Sequence, residues 1–366
     1  MRKTLLAIVL IIFVLALGAC SHEARPVHPF VAEPFPEKLS GWHLFTASAP
    51  VLQPNKGVIP YDLNTPLFSD YASKYRFVWM PEGTSATYKD DGVFDFPVGT
   101  ILAKSFAFPV DGNPAREHLV ETRLLVHTNA GWIGLPYIWN TDQTEARLDL
   151  APDPVPIRYA DASGKPHEFT YFIPNANECK QCHENNHVML PIGPKARNLN
   201  KDYRYADVTS NQLAYWTRAG YLTGAPAPAH APAIAKWNDA RSGSLDARAR
   251  AYLDNNCAHC HQPGGTAGYT GVDLRWMSAD SAPAANGTLR HFGICKSPNS
   301  SGRVGNLSYD LVPGHPDQSI LLARMESVRP KEMMPQIGRS VVHEEGVALI
   351  REWIASLPAE GASCSK

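Results

Sequence analysis

The five-residue pattern Cys-x-x-Cys-His occurs twice, as Cys179-Lys180-Gln181-Cys182-His183 and as Cys257-Ala258-His259-Cys260-His261. This pattern attaches c-type haem: the two thiols form thioethers with the vinyl groups, and the adjacent imidazole ligates the iron. Only seven of the 366 residues are cysteine, so two chance matches are improbable. A zinc ribbon has its Cys pairs about 15–20 residues apart, whereas residues 183–256 separate these pairs. The sequence therefore predicts two c-type haems, attached through Cys179, Cys182, Cys257 and Cys260 and ligated by His183 and His261.

The N-terminus has the features of an export leader. Met1-Arg2-Lys3 is a short basic start, and residues 5–17 are an apolar run that is shorter than the roughly 20 residues needed to span a bilayer. Residues 17–20, Leu-Gly-Ala-Cys, resemble a lipobox and predict a signal peptide over residues 1–19 and a lipidated Cys20. Ordinary signal cleavage and an uncleaved anchor are the alternatives. We expect a cell-envelope lipoprotein facing the periplasm, in the outer membrane because Ser21 follows the cysteine.

The remaining cysteines and the overall charge agree with export. Cys295 and Cys364 are left after lipid and haem have been assigned, and in an oxidising compartment they predict a disulfide, with two free thiols as the alternative. The chain has 34 Lys and Arg against 35 Asp and Glu, a formal net charge of −1. Because long basic runs are absent, a nucleic-acid partner is not expected.

The texture of the chain predicts an α+β multidomain fold. Residues 20–60 are a Pro-rich tether, and residues 61–174 carry short β-branched and aromatic runs that predict an antiparallel β-sandwich-like domain. Residues 175–222 are a small helical segment with the first motif, and residues 223–242 are an Ala/Pro linker. Residues 243–366 have the order of an all-α class I cytochrome c domain with the second motif. The segment 175–222 is too short for its own core and is expected to pack on the β domain.

Each haem iron needs a sixth ligand or an open position. For the second haem Met334, in a loop before the last helix, is the best candidate, with Met333 second. For the first haem Met189 is favoured over His187, and a ligand from the β domain or an open position are the alternatives. Lys195, Arg197 and Asn200 are candidates to neutralise haem propionates, because Arg pairs bidentately with carboxylates; a solvated basic loop is the alternative.

The chain resembles a family of uncharacterised, exported bacterial di-haem c-type cytochromes that are often encoded beside a parallel β-helix protein. The resemblance covers nearly all of the mature chain, and it implies haem binding and electron transfer, with the β-helix protein as a partner. The family also tends to carry cysteine at positions 295 and 364. The segments that carry the resemblance are residues 66–71, 94–99, 121–125, 136–140, 174–175, 179–183, 193–200, 256–265 and 334–353.

Two functions remain open from the sequence. The first is a lipid-anchored electron-transfer protein that shuttles electrons between periplasmic redox proteins through two haems. The second is a haem oxidoreductase, peroxidase-like or substrate-oxidising, with catalysis at the first haem. A Met-ligated second haem favours electron transfer, because Met ligation raises the reduction potential and closes the iron to small ligands.

Overall fold

The computed structural model describes residues 25–47, 52–110, 113–161, 164–276, 291–299, 302–358 and Cys364. The predicted signal peptide over residues 1–19 and the predicted lipidation site Cys20 lie outside the described residues. Within the described part of the chain, no helix combines the length and the apolar character needed to cross a bilayer.

The strands form one main sheet and several two-stranded ribbons. The main sheet is antiparallel and has six strands in the order β3-β4-β6-β7-β8-β9. The strands are β1 (Phe45–Ala47), β2 (Gln53–Pro54), β3 (Ile59–Tyr61), β4 (Ser73–Trp79), β5 (Ala86–Thr87), β6 (Ile101–Val110), β7 (Asn113–Thr128), β8 (Gly131–Trp139), β9 (Ala146–Leu148), β10 (Val155–Ala160), β11 (Pro166–Tyr171), β12 (Glu184–Asn185), β13 (Val188–Met189), β14 (Asp202–Arg204), β15 (Thr209–Asn211) and β16 (Leu222–Thr223).

Both faces of the main sheet are covered, which explains the nearly continuous burial of β6. The N-terminal segment covers one face, where Trp42 is fully buried and donates its indole N–H to the Tyr137 hydroxyl at 2.6 Å. The segment after the first motif covers part of the other face, where Leu199 and Trp216 join the core that contains Val78 and Leu102. A strand that is buried on both faces loses the strict alternation of a half-exposed strand.

Six α-helices occur among the described residues. They are α1 (Ala176–His183), α2 (Ala196–Leu199), α3 (Gln212–Arg218), α4 (Leu245–Asn256), α5 (Ile320–Glu326) and α6 (Glu344–Ser356), and they are accompanied by short 3-10 helices at Leu39–Trp42, Pro228–His230, Gly268–Thr270 and Pro316–Gln318. The C-terminal core lies between α4, α5 and α6, where Leu253, Ile350 and Trp353 are fully buried. Cys295 and Cys364 form a disulfide with an S–S distance of 2.06 Å.

The predicted fold class is wrong. Strand residues outnumber helical residues, 28 % against 21 %, and the C-terminal part is not an all-α class I cytochrome c domain. Its helices are α4, α5 and α6, and most of the described residues between them are irregular because these stretches are rich in Gly and Pro. The N-terminal part is a single six-stranded sheet with small ribbons, because chain segments rather than a second large sheet cover its faces.

The C-terminal helices also depend on contacts from the N-terminal part of the chain. Asn256 at the end of α4 accepts a hydrogen bond from the Phe68 backbone N–H at 2.8 Å. The Asp70 carboxylate accepts from the backbone N–H groups of Ser340 at 2.6 Å and Val341 at 2.9 Å. The Phe68 ring stacks on His343 at a centroid distance of 4.1 Å. Phe68 and Asp70, which precede β4, therefore hold the end of α4 and the loop before α6 through direct contacts.

Candidate functional site

The first motif lies on helix α1, whose start is specified by the residues before it. Asn175 and Glu178 form a capping box: the Asn175 side chain accepts from the Asn177 and Glu178 backbone N–H groups, and Glu178 accepts from the Asn175 N–H. Such caps satisfy backbone donors that a helix leaves unpaired. Because the helix has no buried residue, these capping hydrogen bonds are important for stabilising its first turn. Helical spacing then places Cys179 and Cys182 on one face.

The imidazole of His183 is held in one orientation. Its Nδ1 donates to the Leu190 carbonyl oxygen at 2.8 Å, which leaves Nε2 as the free, lone-pair nitrogen. A two-residue turn between β12 and β13 brings Leu190 back, and Asn186 and His187 in that turn have φ of 48° and 64°. Burial lowers the pKa of His183 to about 4. A neutral imidazole whose other nitrogen is hydrogen-bonded to a carbonyl suits metal ligation.

The second motif follows α4 without a break. Ser244 caps this helix by accepting from the Ala247 N–H at 3.2 Å, and the Cys257 and His261 N–H groups donate to the carbonyls of Leu253 and Cys257. His261 is close to Thr270, whose hydroxyl oxygen lies 3.4 Å from Nδ1. The motif is therefore one further turn of chain that extends a rigid helix.

A cavity of about 390 Å³ opens beside the second motif. It is lined by Cys257, Cys260 and His261 and also by Met334 and by apolar residues such as Phe292. Met334, but not Met333, is among the described residues that line it. The structure thus brings together the motif and the methionine predicted as its sixth ligand.

The loop that carries Met334 is held by Arg339, a residue that the sequence did not point to. Its buried guanidinium donates to the carbonyl oxygens of Met334 at 3.1 Å, Arg324 at 3.2 Å and Ser327 at 2.8 Å. These bonds join the loop to the end of α5. A single arginine among many has no local sequence signature for this role, because its acceptors are backbone atoms.

The two motifs touch each other although residues 183–256 separate them. The Asn186 N–H donates to the Gly264 carbonyl at 2.8 Å, and the Thr266 hydroxyl donates to the Gln181 carbonyl at 2.8 Å. The ligand atoms of Cys182, His259 and Cys260 all lie within 4.8 Å of one another. The second cysteines of the two motifs, Cys182 and Cys260, therefore lie side by side, and we call this contact the shared edge of the two motifs.

The first motif rests on the main sheet at Gly134. A Cβ built at this glycine would lie 3.4 Å from the Cys179 Sγ and 3.4 Å from the Met189 Cε, closer than most side-chain contacts. Glycine here lets α1 approach strand β8. Met189 consequently lies beside Cys179 and lines the cavities that His183 also lines, whereas the His187 side chain is 97 % exposed at the tip of the hairpin.

His127 on strand β7 is a further imidazole near the first motif, and it lines a cavity that His183 also lines. It lies across from Trp132 in the sheet and stacks on it, with ring centroids 4.6 Å apart. One ring nitrogen, Nδ1, lies 2.9 Å from the Phe96 carbonyl oxygen. His127 lines a cavity of about 1620 Å³ together with Cys182 and His183. The only signal in the sequence was its place at the end of an alternating strand, which does not distinguish a ligand from a packed residue.

The basic residues predicted for the propionates have different surroundings. Arg197 is buried and donates to both carboxylate oxygens of Asp254 at 3.1 Å and to Asp91 at 2.7 Å. Asn198 beside it donates to the Asn255 side chain at 2.9 Å, and the Asn200 amide donates to backbone carbonyls of the linker. Lys195 and Arg197 both line the cavity of about 1620 Å³ that His183 also lines. Arg197 and Asn198 therefore join the first segment to helix α4, while Arg197 and Lys195 also border this cavity.

Comparisons with protein-family models, with curated proteins and with solved structures find no match to this chain. Its function is therefore inferred from the residues and their geometry.

The Arg197–Asp254 pair provides a test of how the two motifs are held together. Replacing Arg197 with Met leaves the buried Asp254 carboxylate without its main partner, and we expect the free energy of unfolding to fall by about 3–5 kcal/mol. Burial raises the pKa of Asp254, but Lys195 and Arg197 offset this and leave it below its ordinary value. A depressed carboxyl pKa stabilises the fold above the unfolded-state pKa, so this contribution disappears as the pH falls.

Urea denaturation of the mature protein measures the loss, with Arg158→Met as the control. Arg158 pairs with Glu168 on the surface, where the two side chains are 75 % and 67 % exposed, and its loss should cost less than about 1 kcal/mol. Equal losses in the two variants would contradict a special role for Arg197.

Proposed function

We propose that this protein is a di-haem c-type cytochrome that carries electrons through two covalently attached haems. The observation that carries the proposal is the contact between the two Cys-x-x-Cys-His motifs, whose second cysteines lie within 4.8 Å of each other. Thioether bonds to these sulfurs would place the edges of two porphyrins side by side. Adjacent redox centres suit transfer of single electrons from one to the other.

The residues present fit the group that the motifs imply. Each motif presents two cysteines and one histidine next to a cavity, and burial lowers the pKa of both His183 and His261, which keeps the imidazoles neutral. When bound, haem iron supplies one-electron chemistry. The protein's own part is to orient the imidazoles, to exclude water from the buried side of each cavity and to hold the Met334 loop through Arg339.

The sixth position at the first haem remains a prediction. Met189 is the favoured ligand, and it lines the cavity next to Cys179 and His183. His127 is the alternative that the fold adds from the β region, since it lines the larger cavity beside the same histidine. An open position there would instead support the haem oxidoreductase alternative, with catalysis at the first haem.

The setting of the protein is part of the same proposal. Lipidation at Cys20 would tether the chain to the cell envelope, facing the periplasm and in the outer membrane. Periplasmic redox proteins are the proposed partners, with the β-helix protein of the resembling family among them. The sequence features of the leader and the disulfide between Cys295 and Cys364 support an oxidising compartment.

A metal-ion site is a second candidate for the shared edge. Cys182, His259 and Cys260 are spaced for three ligands of one ion, and zinc commonly takes thiolate and imidazole ligands. The two functions exclude each other, because a cysteine sulfur in a thioether bond no longer offers a thiolate. Metal analysis therefore separates them directly.

Haem attachment and contact between the haems can be measured together. The mature protein, expressed with cytochrome c maturation, should contain two haems by pyridine haemochrome and show a split Soret band in circular dichroism, because neighbouring porphyrin transitions couple. Replacing both Cys257 and Cys260 with Ala should leave one haem and abolish the splitting. The control that replaces Cys295 and Cys364 with Ala should keep both signals. One equivalent of zinc with no haem would contradict the proposal.

The role of Met334 is tested by the variant Met334→Ala. We expect the second haem to stay covalently attached, because its thioethers are intact, but to become high-spin with a lower reduction potential, since a thioether ligand raises the potential. Visible and near-infrared spectra with a redox titration report both changes. Met333→Ala is the matched control and should leave the spectrum unchanged. An unaltered spectrum for Met334→Ala would remove this residue from the ligands.

A further inference from the structure

Three cationic side chains lie in one row across the main sheet. Arg76 on β4 pairs with Lys104 on β6, and Lys104 pairs in turn with Arg123 on β7. Residues directly opposite each other in a sheet project from the same face, and like charges in such positions are destabilising. A row of three cations on one largely covered face therefore calls for an explanation.

The protein supplies anionic partners at the two ends of the row. Arg123 binds Glu121 with two hydrogen bonds, from Nε at 2.7 Å and from Nη2 at 2.5 Å. Arg76 donates from Nη1 to Asp62 at 3.1 Å, and Asp62 also accepts from Lys201 at 2.8 Å. Arg123 thus keeps its Nη1 group for a further acceptor. Neither carboxylate is bonded to the central lysine.

Lys104, in the middle of the row, has no carboxylate of its own. Within the described part of the chain its ammonium makes no hydrogen bond or ion pair, and it lies 4.6 Å from the centroid of the Phe106 ring. Burial, followed by the nearby Arg76, lowers the pKa of Lys104 well below its ordinary value. An added anion would reverse this trend, because an opposite charge within about 4–6 Å favours the protonated amine.

The row lines a cavity next to the first haem motif. A cavity of about 170 Å³ is lined by Arg76, Lys104 and Arg123 and also by Cys179, His183 and Met189. In the sheet, the pair Leu125 and Gly134 follows the pair Arg123 and Pro136 by two residues, a step of about 7 Å along the strand. Because Cys179 lies against Gly134, Arg123 is about one such step along the sheet from the predicted attachment point, and Lys104 and Arg76 follow on the next two strands.

We propose that Lys104, flanked by Arg76 and Arg123, binds a carboxylate group in this cavity. Two sources offer the same chemistry: a propionate of the haem attached to Cys179 and Cys182, or a small free carboxylate of the size of formate or acetate. The propionate source rests on the proposed function, whereas the free carboxylate does not. Charge-assisted hydrogen bonds from arginine and lysine are the usual means of holding such groups.

The test compares Lys104→Met with Lys180→Met in the mature protein. Lys180 is exposed on α1 next to Cys179, so its removal deletes the same charge near the same motif but leaves the row intact. Haem content is measured first by pyridine haemochrome. Each protein is then titrated with sodium acetate by visible spectroscopy and by calorimetry, and its resonance Raman propionate-bending bands are recorded. Lys104→Arg keeps the positive charge, so it is expected to retain the site and shows whether an effect of Lys104→Met comes from the lost charge or from loss of folding.

Two results support the proposal and identify the source. Saturable acetate binding that weakens at least about tenfold in Lys104→Met, but not in Lys180→Met, indicates a free carboxylate. Absence of acetate binding together with a shift of a propionate band in Lys104→Met alone indicates the propionate. If Lys104→Met changes neither acetate binding nor a propionate band, the proposed carboxylate site is wrong. A preparation without haem refutes the proposed function, while calorimetry with acetate still tests the cation row.

Discussion

The contact between the two motifs depends on a buried ion pair. Arg197 and Asp254 are both almost fully removed from solvent, and each would be costly to bury alone. Their pairing, with the hydrogen bond from Asn198 to Asn255, attaches the segment after the first motif to the last turns of helix α4. The second motif begins at Cys257, directly after α4. Helix α1 has no buried residue, and apart from this junction the two motifs meet through the hydrogen bonds from Asn186 to Gly264 and from Thr266 to Gln181.

The main sheet supports the first motif through strand β8. Strand β8 offers Gly134, where the absence of a side chain lets Cys179 approach the backbone. The same face carries His127 and Trp132 at one end and the row of Arg76, Lys104 and Arg123 next to it. The sheet thus acts as a wall of the first site, with potential ligands and charges set at fixed steps along its strands. A rigid wall of this kind is how a segment too small for its own core can still form a defined site.

Much of the local chemistry could be read from the sequence because it is encoded within a few residues. The two Cys-x-x-Cys-His motifs are visible from their spacing, and Met334 was singled out by its loop before the last helix. The predicted all-α class I cytochrome c domain was wrong, because the order of segments along a sequence does not show whether the chain between the helices is itself helical. The roles of His127, Arg339 and Lys104 are not visible in the sequence. Each depends on groups that no local pattern specifies: the Phe96 carbonyl, the backbone carbonyls around Met334 and the facing strand β7.

The sequence by itself predicted the attachment chemistry: two cysteines and a histidine at a spacing that one turn of chain holds together. It also determined which cysteines remained, and Cys295 and Cys364 are paired in the fold. Only the tertiary structure decided that the two motifs share an edge at Cys182 and Cys260. The physical reason is the distance along the chain over which each feature is determined. Spacing within a turn follows from covalent geometry. Contact across residues 183–256 follows from burial, strand pairing and buried charge pairs that no local pattern encodes.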